Sequence, residues 1–278
     1  MAYADNKVGF SWLVFGLTIL TTLLLQILSN LANDYGDSEK GTDNHERIGP
    51  KRAVQSGLLS FNEIKLGIYI CMGLALLSGV TLIYKGTQGL NINNSIFFFV
   101  LGLCAMAAAI KYTVGKNAYG YQGLGDLFVL LFFGIAGVCG SHYLLAHKIH
   151  YSVLLPAFTI GAFATGVLNL NNMRDHISDE QAGKITMVVK MGLNNAKRYH
   201  QILILLGFTA GIVFVILNFT STMQFLFLIT VPLFRRHLVA VRRTEEPVAF
   251  DPLLSQLAVS TFIFAILFAL GMIIGSVG

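Results

Sequence analysis

The sequence is poor in charge: Asp, Glu, Lys and Arg make up 12% of its 278 residues, against 55% hydrophobic. A water-soluble domain spends about a quarter of its residues on charge, so with a mean hydropathy of +0.68 the expected solvent is lipid. The alternating ten-residue segments of a transmembrane barrel are missing. The apolar runs are continuous and about 20 residues long, enough for a helix to cross a hydrocarbon core of about 30 Å. Cysteine is scarce: Cys71, Cys104 and Cys139 fall in three separate runs, which speaks against a disulfide framework or a thiolate metal site. No two of the seven histidines stand at i and i+4, so no helical zinc site is indicated. Met1 to Gly9 carry one Lys, and no small-residue cleavage site follows the first apolar run, which therefore reads as a permanent span.

What is present is a polytopic, all-α membrane protein of about eight transmembrane helices. The expected spans are Ser11 to Leu31, Ile64 to Tyr84, Ser95 to Tyr112, Leu124 to Ala146, Tyr151 to Leu170, Tyr199 to Phe219, Met223 to Val241 and Leu254 to Val277. Long and short connections alternate between them. Of the 19 Lys and Arg, 16 fall on the long-connection side, counting Lys65, two on the short side (Lys85 and Lys148), and Lys7 in the N-terminal tail. The positive-inside bias puts the long connections in the cytoplasm, and an even number of spans then puts both termini outside. That same bias accounts for the net charge of +5 without a nucleic-acid partner.

Two long connections carry clustered oxygen ligands. In the first, Asn33 and Asp37 stand at i and i+4 if the helix runs on, and Asp43 lies beyond Gly41, a helix-ending residue. In the second, Asn171, Asp175 and Asp179 stand at i, i+4 and i+8. Carboxylates stacked on one helix face at the end of a span repel one another, and a cation removes that cost. Oxygen donors without Cys or His favour a hard ion, and Mg²⁺ carrying a diphosphate suits paired carboxylates better than a closed Ca²⁺ cage. Arg47, Arg52 and Lys184, close behind the acids, are placed to bind that anion.

Either cluster alone is an ordinary capped loop. Two of them, 138 positions apart (171 minus 33) and each followed by a basic stretch ending in Gly, read as an internal repeat of four helices. This makes one domain over 1–278, with halves at roughly 10–147 and 150–278. A third connection, from Lys111 to Asp126, offers Lys116 as a further diphosphate ligand. It also offers Tyr112, Tyr119 and Tyr121 as aromatic faces toward an allylic cation. Asp126, at a helix entrance, reads as a cap. The final basic segment, Arg235 to Arg243, reads as an orientation anchor.

These residues resemble the UbiA superfamily of intramembrane prenyltransferases, whose signature is Asn-x-x-x-Asp-x-x-x-Asp in each half. Asn171, Asp175 and Asp179 match it, whereas Gly41 stands where the first motif has its last Asp and Asp43 follows two residues later. With Arg47-Ile-Gly-Pro50 behind it, that departure resembles the 1,4-dihydroxy-2-naphthoate branch. The resemblance implies transfer of a polyprenyl chain from polyprenyl diphosphate to the naphthoate, with loss of CO₂ and diphosphate, giving demethylmenaquinol in menaquinone synthesis. It implies Mg²⁺ held by Asn33, Asp37, Asp43, Asn171, Asp175 and Asp179, with Asp37 and Asp175 central to catalysis. It also implies an active site at the cytoplasmic face of the inner cell membrane, with the acceptor arriving from solution and the donor from the bilayer. Members have nine spans, so the family's first helix is expected to be missing from this sequence. The rival acceptors are 4-hydroxybenzoate and homogentisate, against which the Gly41 to Pro50 pattern speaks. A secondary transporter is a more distant rival, and its acids would sit near the midplane instead of at span ends.

Overall fold

The structure is a computed structural model and describes residues 10–42, 49 and 52–277. Among these residues eight helices are long and apolar enough to cross a membrane. They are α1 (Trp12–Glu39), α2 (Phe61–Gly86), α3 (Ile92–Lys111), α4 (Gly125–Ala146), α5 (Tyr151–Gln181), α6 (Leu193–Leu217), α7 (Thr222–Arg243) and α8 (Pro247–Ser276). No strand occurs among the described residues.

Local sequence explains where several helices start. Ser11 caps α1 by accepting from the Val14 amide. Ser60 and Glu63 form a reciprocal capping box on α2, and Asn91 accepts from the Asn93 amide at the start of α3. Along α4 the backbone relaxes into a π-helical stretch, Leu130–Cys139, where Gly134 lets the helix lie directly against Gly161 of α5.

Two kinds of surface result. Large apolar side chains such as Leu77 (67% exposed) and Phe262 (66%) point outward, the arrangement expected where the solvent is hydrocarbon. Inside, Phe163, Phe214, Phe227, Phe234 and Phe264 form one aromatic core among α5, α6, α7 and α8. The first half has smaller clusters: Leu28, Ile68 and Cys71 tie α1 to α2. Helix α5 is the central element, packed against α4, α6 and α8, while α1 packs chiefly on α2 and also on α3. The joint between halves is therefore the α4–α5 contact, and it brings the start of α4 beside α5.

Four spans run further than hydropathy implied: α6 and α8 start early, at Leu193 and Pro247, and the two acidic helices end late. α1 extends past Leu31 to Glu39 and α5 past Leu170 to Gln181, so both acidic segments are helical continuations of spans. The backbone ladder does not stop where the side chains turn polar. It stops where the chain can take a left-handed turn.

Candidate active site

Both acidic helices end by one device. After Lys40, Gly41 adopts φ +73°; its amide donates to the Ser38 carbonyl (3.2 Å) and the Thr42 amide to the Asp37 carbonyl (2.9 Å). After Ala182, Gly183 adopts φ +72°; its amide donates to the Glu180 carbonyl (3.0 Å) and the Lys184 amide to the Asp179 carbonyl (2.7 Å). This is the Schellman ending, which favours a residue without a Cβ at the turn. The two endings lie 142 positions apart (179 minus 37), and the helices Trp12–Glu39 and Leu154–Gln181 are each 28 residues long. The 138-position spacing of the motifs differs from this 142-position offset by four residues, about one helical turn. Counted back from the two glycines, Asp37 holds the place of Asp179, not of Asp175.

Those two aspartates meet on one ammonium. Lys184 Nζ lies 3.3 Å from Asp179 Oδ1 and 3.8 Å from Asp37 Oδ2, and all three side chains are buried. Burial alone would lower the pKa of Lys184. The carboxylates of Asp37 and Asp179 outweigh that and hold its pKa well above the ordinary lysine value. Arg52 adds a second cation to Asp37 at 3.1 Å. The Tyr121 hydroxyl donates to Asp37 Oδ1 (2.7 Å) and lies 2.6 Å from the Thr42 hydroxyl, while Lys40 Nζ sits 3.9 Å above the Tyr121 ring.

The second motif divides. Asp179 faces Lys184, but Asp175 is held in a two-pronged ion pair by its neighbour Arg174, Nε to Oδ1 at 2.8 Å and Nη2 to Oδ2 at 2.7 Å. The same guanidinium donates to Asn171 Oδ1 (2.8 Å) and to Asp251 Oδ1 at the start of α8 (2.6 Å). Arg174 is almost fully buried, and Gly49 of the first connection lies on it so closely that a Cβ there would be 2.7 Å from the guanidinium carbon.

The third connection is the clamp between halves. Thr113 donates to the Ala32 carbonyl (2.9 Å) and to Asn33 Oδ1 (3.3 Å), an approach possible because Gly36 has no side chain to collide with Thr113. On its other side the Ile185 amide donates to the Tyr121 carbonyl (3.2 Å) and Lys190 Nζ to the Gln122 carbonyl (2.6 Å). Tyr112 stands between the Asp37–Lys184–Asp179 group and Asp126, in the field of all four. Burial, partly offset by Lys184, pushes its phenol up to about 12, so it stays protonated.

Some expected residues lie elsewhere. Asp43 and Arg47 fall outside the described residues. Lys116 is exposed and makes no ion pair with the described residues. Tyr119 differs from the other two tyrosines: its hydroxyl donates to the Ala108 carbonyl (2.8 Å) and its ring stacks on Phe128 at 4.0 Å, so it braces α3 against α4. Asp126 is not an exposed cap, being buried and hydrogen-bonded to Tyr199 of α6. Sequence reasoning also assigned no role to Arg174, Lys40 or Thr42. Arg174 had a visible signal, a base inside an acidic ladder, but its partners depend on α8 and the first connection.

Among the described residues no three His, Cys, Asp or Glu side chains gather as a metal cluster; the motif carboxylates pair with Arg52, Arg174 and Lys184 instead. The donor chemistry still fits a hard divalent cation. It is oxygen only, and the buried Asp179 Oδ2 has no hydrogen-bond partner among the described residues.

Eight spans whose two acidic helices end side by side at one face define a polytopic membrane protein with a charged site at the boundary of its apolar region. The chain belongs to the UbiA prenyltransferase family, which matches residues 1–251. It is 42% identical over 275 residues to a 1,4-dihydroxy-2-naphthoate octaprenyltransferase of Haemophilus influenzae, covering 99% of this chain and 89% of that one. To the protein of the same description from Escherichia coli it is 43% identical over 262 residues, covering 94% and 84%. A solved structure concerning digeranylgeranylglyceryl phosphate synthase shares the fold, with a TM-score of 0.59 at 18% identity over 95% of this chain and 88% of that one.

Proposed function

We propose that this protein transfers a polyprenyl chain from polyprenyl diphosphate to 1,4-dihydroxy-2-naphthoate, with loss of CO₂ and diphosphate, giving demethylmenaquinol for menaquinone synthesis. The observation that carries the reading is the meeting of Asp37 and Asp179 on Lys184, with Arg52 alongside. Four charges held at the end of two spans make a site for an anion whose other end is a hydrocarbon tail. The acceptor is taken from the relatives at 42–43% identity.

In this reading Lys184 and Arg52, with Arg47 and Lys116, bind the diphosphate oxygens. Tyr121 orients Asp37, and the ring of Tyr112 lines the wall near the allylic carbon. Mg²⁺ is the cofactor. Asn33, Asp37, Asp43 and Asp179 would hold it, joined by Asn171 and Asp175 as these part from Arg174, and when bound it supplies Lewis-acid stabilisation of the departing diphosphate. The surrounding helices keep water from the allylic centre, and the lipid-facing gaps between them admit the chain. The site lies on the cytoplasmic side of the inner membrane, where the Lys and Arg bias puts the long connections.

The test supplies membranes bearing the protein with labelled polyprenyl diphosphate and, separately, 1,4-dihydroxy-2-naphthoate, 4-hydroxybenzoate and homogentisate. Product from the naphthoate that disappears with EDTA, returns with Mg²⁺ and falls about 10²-fold or more in Asp37→Asn is expected. Product from 4-hydroxybenzoate alone would refute the acceptor assignment.

A further inference from the structure

Apart from the motif acids, the core near the site holds a second group of polar atoms that no described residue satisfies. Asp126, in the first turn of α4, is 7% exposed. One side of its carboxylate is bonded to Tyr199, but Oδ2 is fully buried with no hydrogen-bond partner, and no Lys or Arg pairs with it among the described residues. This sets it apart from Asp37, Asp175 and Asp179, each of which has a cation. On the facing helix Thr165 reaches the Asp126 backbone carbonyl (3.4 Å). Asn169 and Asn172 follow Thr165 on the same face of α5, at i+4 and i+7. Both polar atoms of the Asn169 side chain, and Oδ1 of Asn172, are likewise buried and unpartnered among the described residues. Buried polar groups are nearly always bonded, so several such atoms on adjoining elements mark a place where a polar ligand completes the bonding.

The wall between this group and the charged site is Tyr112. Its ring lies against Gly125, its hydroxyl 3.3 Å from where a Cβ on Gly125 would be, and it feels Asp126 on one side and Lys184, Asp37 and Asp179 on the other. A molecule seated at Asp126 is therefore next to whatever sits on Lys184.

The geometry points to Asp126 as the group that receives the proton of the aromatic acceptor's hydroxyl, with the Asn169 amide bonding the acceptor's other polar substituent. The inference rests on the proposed reaction and names the acceptor-side residue that reaction needs. In the step, the hydroxyl O–H bond breaks and its proton moves to Asp126 Oδ2. The oxygen's electrons close to a carbonyl, and the displaced ring pair forms the new C–C bond to C1 of the prenyl chain. The C1–O bond breaks with its pair leaving on diphosphate. A carboxylate with no cation on it is the suitable proton acceptor, because no positive charge competes for its electron pair.

The experiment uses the full chain in membranes with Mg²⁺, labelled polyprenyl diphosphate and two acceptors. One is 1,4-dihydroxy-2-naphthoate; the other is an analogue fluorinated on the distant ring, whose hydroxyls ionise more easily. Asp126→Asn is expected to lower kcat about 10²-fold or more with the natural acceptor while KM for the prenyl diphosphate stays within about twofold. Asp126→Glu should retain activity within about tenfold. The Asp126→Asn deficit should shrink at least about tenfold with the fluorinated acceptor, since a more acidic hydroxyl needs less help. A deficit equal for both acceptors, a prenyl-diphosphate KM that rises with it, or an Asp126→Asn enzyme within about threefold of wild type overturns the inference and leaves the proposed reaction standing. A wild type that makes no product from the naphthoate overturns both.

Discussion

Lys184 shows how far a single side chain can organise a site. Removing this buried charge leaves Asp179 without a cation and Asp37 with Arg52 alone, and breaking such a pair costs about 3–5 kcal/mol. Lys184→Ala should therefore lower the unfolding temperature in detergent markedly. Because the same carboxylates are proposed to bind Mg²⁺, the cation should restore more stability to the variant than it adds to wild type. Thermal denaturation of both proteins with MgCl₂ and with EDTA measures this. Equal Mg²⁺ stabilisation of the two would argue that Asp37 and Asp179 do not bind the metal. Arg174 works in the opposite sense, since its four hydrogen bonds fasten Asp175 and Asn171 to α8 and draw them off Lys184.

At the scale of elements, the acidic helices act through their ends. Gly41 and Gly183 both take left-handed backbone, and a Cβ added at either would meet no atom of the described residues within 4 Å, so a side chain there is opposed by backbone conformation. Gly41→Ala should cost about 1–2 kcal/mol, and Gly41→Asn, which enters that region more readily, should cost less. Thermal unfolding orders the two variants. If alanine is no worse than asparagine, the turn is not what sets the end of α1. Activity should follow the same order, because Thr42 depends on that turn for its contact with Tyr121.

For the whole molecule, the connecting segments at one face assemble the site while those at the other merely join helices. The proposed orientation can be read chemically. Once Cys71, Cys104 and Cys139 are replaced, Lys148→Cys in the short α4–α5 connection should react with a membrane-impermeant maleimide in intact cells. Lys116→Cys should react only after permeabilisation, and both positions are exposed. Labelling in the reverse pattern would put the site on the outer face. A buried pairing that spacing could not reveal lies deeper: His200 of α6 and His237 of α7 meet Nε2 to Nε2 at 2.9 Å, joining two helices of the second half.

Eight spans, helical throughout, were readable from hydropathy and length, because a segment in lipid has to satisfy its own backbone bonds and so leaves little choice of structure. The acidic ladders were readable too: Asn171, Asp175 and Asp179 fall on one face of α5 by helix periodicity alone, and Asn33 and Asp37 on α1 once that helix was allowed to continue. What those residues touch was not. Whether Asp175 faces a metal site or Arg174 turns on Asp251, 77 positions from Arg174, and whether Asp126 caps a helix or lies buried beneath Tyr199 turns on a residue 73 positions away (199 minus 126), while whether Tyr119 faces the carboxylates or Phe128 turns on how α4 packs against the connection before it. Periodicity is a local property of the chain and sets which face a side chain occupies. The partner on that face is set by how α4, α5 and α8 pack and by where two glycines let the acidic helices end, and only the tertiary structure decides those.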